Sequence, residues 1–228
     1  MVSAMHSKLA LSSAAVFLLL VACNNDPGKD KAKAQVSEPT SAIQTTPAKN
    51  AVRYAFSAAD SKLNFVGAKI TKKHEGSFGA FSGKIEVSDA DPTKSTVSFE
   101  VDTATLAADD PKLTGHLKSP DFFDVAKFPN AKFTSTSIKA GGENGASHTV
   151  TGNLEMHGVT KTITVPVTVK YRAESAATKQ AGFAGNVLQT VARFDIKLSD
   201  YGIKIPAVAA GKVANTVQLV VSSYATTK

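Results

Sequence analysis

The residues in this sequence that could do chemistry are few: five histidines, one cysteine and close pairs of carboxylates such as Asp109-Asp110 and Asp121/Asp124. His6, His74, His116, His148 and His157 stand far apart along the chain. No two have the few-residue spacing by which one element brings two ligands to a metal. Cys23 is the sole cysteine, so the chain forms no internal disulfide and lacks the ligands for a structural zinc or iron–sulfur site. Asp109-Asp110 and the Asp121/Asp124 pair fall at loops or helix starts, where capping accounts for them. No G-x-S-x-G elbow, P-loop or G-x-G-x-x-G occurs. His116 with Asp121 or Asp124 is the one grouping with acid–base potential. These observations predict no catalytic residue, no metal and no cofactor.

Strands must position whatever site there is. Over residues 51–228 the dominant period is two, as in Val97, Phe99 and Val101 against Ser98, Glu100 and Asp102. Ile163, Val165, Val167, Val169 and Tyr171 give the longest run. Further alternating runs cover Leu63-Phe65, Phe81 to Val87, Ala131-Phe133, Val150 to Met156, Ala192 to Ile196 and Val217 to Val221. GGENG at 141–145 and His157-Gly158 read as hairpin turns. The pattern predicts an all-β fold, an antiparallel sandwich or barrel of seven to nine strands, and excludes a parallel α/β sheet. Pro166 cannot donate to a ladder, so its strand is expected to carry an edge or a bulge there. A short helical insert is expected near residues 110–123, with Asp110 as cap, Pro111 at the first position and Leu113 and Leu117 on one face.

Composition bounds the class. The 228 residues are 43% hydrophobic and 20% charged, which excludes a collagenous, wholly disordered or multi-span membrane protein. Residues 51–228 hold 21 Lys+Arg and 16 Asp+Glu, and their lysines are scattered singly apart from Lys72-Lys73. Such a dispersed +5 suits weak attraction to anionic headgroups and argues against a nucleic-acid partner. Eleven of the twelve Phe fall in this domain, and there is no Trp. An eight-stranded barrel either fills its interior with such side chains or holds one small ligand.

The amino terminus reads as an address. Lys8 precedes an apolar run from Leu9 to Cys23, too short to cross ~30 Å of hydrocarbon and followed at once by polar residues. Its end, Leu20-Val21-Ala22-Cys23, resembles the lipobox of bacterial lipoproteins. That resemblance implies a signal peptide over residues 1–22 and lipidation of Cys23, with acyl chains (a diacylglycerol and an amide-linked chain such as palmitate) as membrane anchor. Asn24 in place of Asp tilts the expectation toward the outer membrane, with the domain on the periplasmic side of the bacterial envelope. Residues 24–50 hold Pro27, Pro39 and Pro47, no aromatic residue and little large apolar surface, so a disordered tether is expected, with a reach of about 30 Å.

The run His116-Leu-Lys-Ser-Pro-Asp-Phe-Phe-Asp-Val-Ala-Lys-Phe-Pro129, with Ala131-Lys-Phe133 after it, resembles the signature of the YceI-like family. Gly76-Ser-Phe-Gly-Ala-Phe-Ser-Gly83, Gly152 to Lys161 and Asp195 to Ile203 agree with it in order. The resemblance implies a lipocalin-like antiparallel β-barrel of about eight strands, apolar inside, binding an isoprenoid lipid of the quinone or polyprenyl phosphate type. One departure is Leu198, where the family's last motif usually has a basic residue; Lys197 and Arg193 are nearby.

On that resemblance the lipid tail is expected against Phe65, Phe78, Phe99, Val101, Phe133, Leu154, Met156, Ile163, Val165, Phe194, Ile196 and Leu219, with Phe122 and Phe123 closing one wall. A shift of register by one residue would turn any of these sets outward. His116, Lys118 and Arg193 are assigned to the mouth and head group, the alternative being simple capping or exposure to solvent. Two other readings stay open: a solid-core envelope stress protein acting through protein partners, and an enzyme acting on a bound lipid through His116. Whether the barrel forms a homodimer is also left open.

Overall fold

Period-two alternation becomes an antiparallel barrel in the computed structural model, which describes residues 34–39, 51–69, 71–88, 91–205 and 213–227. In chain order the strands are β1 Gln35–Ser37, β2 Val52–Ser57, β3 Lys62–Ala68, β4 Lys73–Phe78, β5 Phe81–Val87, β6 Thr96–Asp102, β7 Leu106–Ala108, β8 Asn130–Ala140, β9 His148–Met156, β10 Val159–Arg172, β11 Val187–Lys197 and β12 Thr216–Thr227. The helices are α1, Pro111–Lys118, and α2, Ala176–Gln180. Pairing runs β12-β2-β5-β6-β8-β9-β10-β11 and back to β12, which closes a ring of eight. β2 and β3 both pair with β12 at different heights, so they act as two segments of one bent strand. β4 and β7 extend β3 in the same sheet.

The turns are those the sequence predicts. His157 (φ 53°) and Gly158 (φ 73°) are both left-handed, the requirement of a two-residue hairpin turn whose twist matches the flanking strands. His157 Nδ1 donates to the Tyr201 carbonyl at 3.1 Å, pinning this turn to the segment after β11. Helix α1 also begins as expected: one Asp110 carboxylate oxygen accepts from the backbone N–H of Lys112 (2.8 Å) and Leu113 (3.0 Å).

The ring has one incomplete seam. β10 and β11 pair only from Val167 and Ala192 to Arg172 and Val187. Below that, Thr162 to Thr164 of β10 pair instead with β1, and the Ala34 N–H donates to the Asp195 carbonyl of β11 at 3.3 Å. Pro166 sits at the changeover. Val169 sends its N–H toward β9, to Ser147 Oγ, so by alternation position 166 would aim its missing N–H into the seam.

β1 corrects the expectation of a wholly disordered tether over residues 23–50. Val36 stands opposite Ile163, and Glu38 forms an ion pair with Lys161. The seam offers unpaired backbone groups and apolar surface that a low-complexity segment can satisfy even without a core of its own. The expected signal peptide over 1–22, Cys23, and residues 24–33 and 40–50 lie outside the described residues.

Candidate functional site

Along each strand one set of alternating side chains points inward, and the barrel is wide enough that these sets do not meet everywhere. They leave a cavity of ≈360 Å³, within the range of small-molecule sites. It runs the length of the barrel. Leu117, Phe123 and Leu198 line it at the α1 end; Val87, Val97, Ile138 and Val169 line it at the end where the β8–β9 hairpin and α2 lie. The wall is overwhelmingly apolar.

Three glycines let aromatic rings lie flat against this wall. Gly76, Gly83 and Gly152 occupy inward positions, and a Cβ on each would collide with the ring of Phe65, Phe56 and Phe133 respectively. The rings stack in turn: Phe56 and Phe81 each lie 5.6 Å from Phe99, and Phe65 lies 5.9 Å from Phe78. Offset and edge-on geometries of this kind suit the ring quadrupoles.

Thirteen of the residues expected along the tail line the cavity: Phe65, Phe78, Phe99, Val101, Phe123, Phe133, Leu154, Met156, Ile163, Val165, Phe194, Ile196 and Leu219. Phe122 does not. It is buried beside the cavity wall, with the His116 ring edge-on at 4.9 Å. Sequence reasoning missed Val150, Val167 and Val221, although they continue strands already read. Phe56 continues the period two of Val52 and Tyr54 in β2, a signal the sequence offered, whereas Leu106 belongs to a three-residue segment too short to show a period.

The expected mouth is different. Neither His116 nor Lys118 lines the cavity; between them in sequence, Leu117 turns in and they turn away. His116 is half exposed, with Nε2 at 3.6 Å from Asp121. The acid–base grouping is therefore a loose surface contact outside the cavity. Arg193 is exposed on the outer face, because Ala192 and Phe194 on either side of it point in. Leu198 is buried and lines the cavity, while Lys197 is exposed. Lys132, the one cation among the lining residues, alternates outward between Ala131 and Phe133, and its Nζ meets Glu100 at 3.5 Å on the barrel exterior.

The remaining histidines have separate duties. His74 Nδ1 and Asp109 Oδ1 are 2.8 Å apart, tying β4 to the chain that enters α1, and this hydrogen bond holds the Asp109 carboxyl below its ordinary pKa. His148 alone lines the cavity. Among the described residues no group of three or more His, Cys, Asp or Glu could hold a metal ion, and no helix is long and apolar enough to cross a membrane.

The model of the YceI-like domain matches residues 54–225, nearly the whole barrel. A UPF0312 protein of Pseudomonas putida is 37% identical over 164 residues, covering 72% of this chain and 77% of its own. Another, from Pseudomonas savastanoi pv. phaseolicola, is 34% identical over the same length and shares. Among solved structures, Burkholderia cenocepacia BcnA aligns with TM-score 0.62 at 27% identity, covering 74% of this chain and 98% of BcnA. A polyisoprenoid binding domain from Saccharophagus degradans aligns with TM-score 0.55 at 18% identity, covering 78% and 100%; at that identity it shares the fold.

Proposed function

Because the chain belongs to the YceI-like domain family, we propose that its barrel binds an isoprenoid lipid and stores or transports it at the bacterial cell envelope. The observation that carries the reading is the apolar cavity running through the barrel, into which no cationic side chain points among the described residues. A long branched hydrocarbon tail is the ligand such a space suits. Each buried methylene contributes about 0.8 kcal/mol, so ten of them offer about 8 kcal/mol, the scale of micromolar binding before ordering costs. The solved polyisoprenoid binding domain with the same fold supports this reading. The cavity also weighs against the solid-core alternative, and His116 stands outside it, so we assign no catalytic residue.

Lipidation at Cys23 after removal of residues 1–22 would place the barrel on the periplasmic side, at the outer membrane by the Asn24 criterion. There the bilayer is both anchor and source of ligand. Native mass spectrometry of the protein purified from bacterial membranes, with organic extraction of what it carries, tests the reading. A bound quinone, prenol or prenyl phosphate is expected. An empty barrel that also refuses all three when offered would sink it. Incorporation of labelled palmitate, lost in Cys23→Ser, tests the anchor.

A further inference from the structure

One end of the channel holds most of its polar lining; at the other, Thr103 spends its hydroxyl proton on the Phe128 carbonyl. Following the inward register toward the β8–β9 hairpin, β9 ends on His148, β11 places Thr190 inward and β12 places Ser223 inward, where apolar residues stand further down each strand. The register places them at one height of the barrel end: His148 stands opposite Val167, and the next inward residue of β10, Val169, stands opposite Thr190, which is itself opposite Ser223. Adjacent strands lie about 4.8 Å apart, so Thr190 and Ser223 meet directly, and His148, two strands from Thr190 across the apolar Val167 and Val169, completes the polar corner at this end of the channel.

Each has hydrogen-bonding capacity in hand. Thr190 Oγ1 and Ser223 Oγ are 2.6 Å apart; of their two hydroxyl protons one makes that bond and the other remains. Ser223 is almost wholly buried. His148 Nδ1 is taken by Ser147 Oγ at 2.9 Å, which leaves Nε2 open on a side chain that lines the cavity. Ser147 also accepts the Val169 N–H (2.8 Å) and lies 3.3 Å from the Val167 carbonyl. Its single proton can go to that carbonyl or to Nδ1. In the first case Nε2 offers a lone pair, in the second an N–H.

We propose that this corner receives a neutral oxygen head group, a hydroxyl or a carbonyl, with the isoprenoid tail running toward Leu117 and Phe123. The assignment rests on the reading that the channel holds an isoprenoid lipid. The two states of the His148–Ser147 pair match the two chemistries: the lone pair accepts from a hydroxyl, and the N–H donates to a carbonyl. Among the described lining residues a phosphate finds no counter-charge, since the one cation, Lys132, points outward to Glu100, and burying an unpaired anion is costly. The polar pole also lies at the opposite end from His116 and Lys118.

Three C20 probes with related tails separate the possibilities: phytane, which has no head group, geranylgeraniol and geranylgeranyl diphosphate. Uptake by the full chain is read by native mass spectrometry and competition. Geranylgeraniol is expected to bind about tenfold tighter than phytane, the scale of one hydrogen bond shielded from water, and the diphosphate weakest. His148→Phe should bring the alcohol to the phytane level while phytane still enters, which shows the barrel intact; His148→Gln should restore part of the preference. Diphosphate binding as tight as the alcohol's, or equal loss of alcohol and phytane in His148→Phe, would overturn the assignment. Phytane uptake without preference for the alcohol overturns it and leaves the channel reading standing. Refusal of all three removes both.

Discussion

The ring of Phe56 lies over the Cα of Gly83, its partner across the β2–β5 ladder, in the space a side chain on Gly83 would occupy. The pair turns a missing side chain into room for an aromatic one. Phe56 then stacks on Phe99, and the same exchange recurs at Gly76 with Phe65 and at Gly152 with Phe133. The barrel wall is smooth and apolar because glycine and phenylalanine share the inward positions.

Gly83→Ala should therefore destabilise the barrel by about 1–3 kcal/mol, the cost of overpacking a filled site. Gly67→Ala, on β3 with nothing near its Cβ position, is the control and should fall within about 0.5 kcal/mol of the parent. Denaturant unfolding of both variants checks the difference; equal effects would mean that Phe56 yields freely.

Ala192 lines the channel at mid-height, between Val167 and Val221. A larger residue there should fill the cavity. Ala192→Phe is expected to lower lipid uptake by tenfold or more while the thermal midpoint changes little, because the ring enters existing space. Undiminished uptake would place the ligand elsewhere.

Strand β1 is expected to shield the seam. By the alternation of β10, the N–H groups of Thr162 and Thr164 face β1. Removing residues 24–38 should speed hydrogen exchange at these two amides selectively, leaving those of Ile163 and Val165, which face β9, protected. Exchange unchanged at Thr162 and Thr164 would show that β1 contributes nothing to the ladder.

Tyr201 is fully buried, and its hydroxyl has no hydrogen-bond partner among the described residues. Burial, helped by Asp200, raises its pKa well above the ordinary 10.0. Below pH 10 the phenol is neutral folded or unfolded and contributes no pH dependence. Above pH 10 the unfolded chain ionises first, so stability should fall as pH rises. Tyr201→Phe should abolish that alkaline slope and, at neutral pH, cost nothing or stabilise by about 1 kcal/mol. Denaturant titrations at pH 7 and pH 10.5 decide it.

Acid acts with the opposite sign. Asp109, held low by His74, and Asp91, held low by Thr93, have folded pKa values below the ordinary 3.8. Their contribution is present above pH 3.8 and is lost as pH falls through the folded values. Both are exposed, so His74→Ala should alter acid unfolding only slightly, with a midpoint shift toward higher pH in acid titration as the measurement.

Much of this molecule is legible one strand at a time. Period two in Val97 to Val101 or Ile163 to Val169 reflects a strand with one dry face, and side chains two apart must share that face whatever the partners. The inward set, the hairpin at His157-Gly158 and the Asp110 cap follow from such local rules, and so does the antiparallel class. The conversion of a tether segment into β1 does not, since Val36 has value only against a seam made by strands more than a hundred residues away. The same holds for the mouth. His116 and Lys118 flank an inward Leu117 and Arg193 sits between two inward residues, so their positions depend on how α1 and β11 are rolled. His148 looks unremarkable in sequence because polarity breaks the apolar pattern by which inward positions are found. The sequence by itself determined which faces leave water. Only the tertiary structure decided where those faces stop short of meeting and which polar atoms border the gap, because both are set by distances between strands that no local pattern encodes.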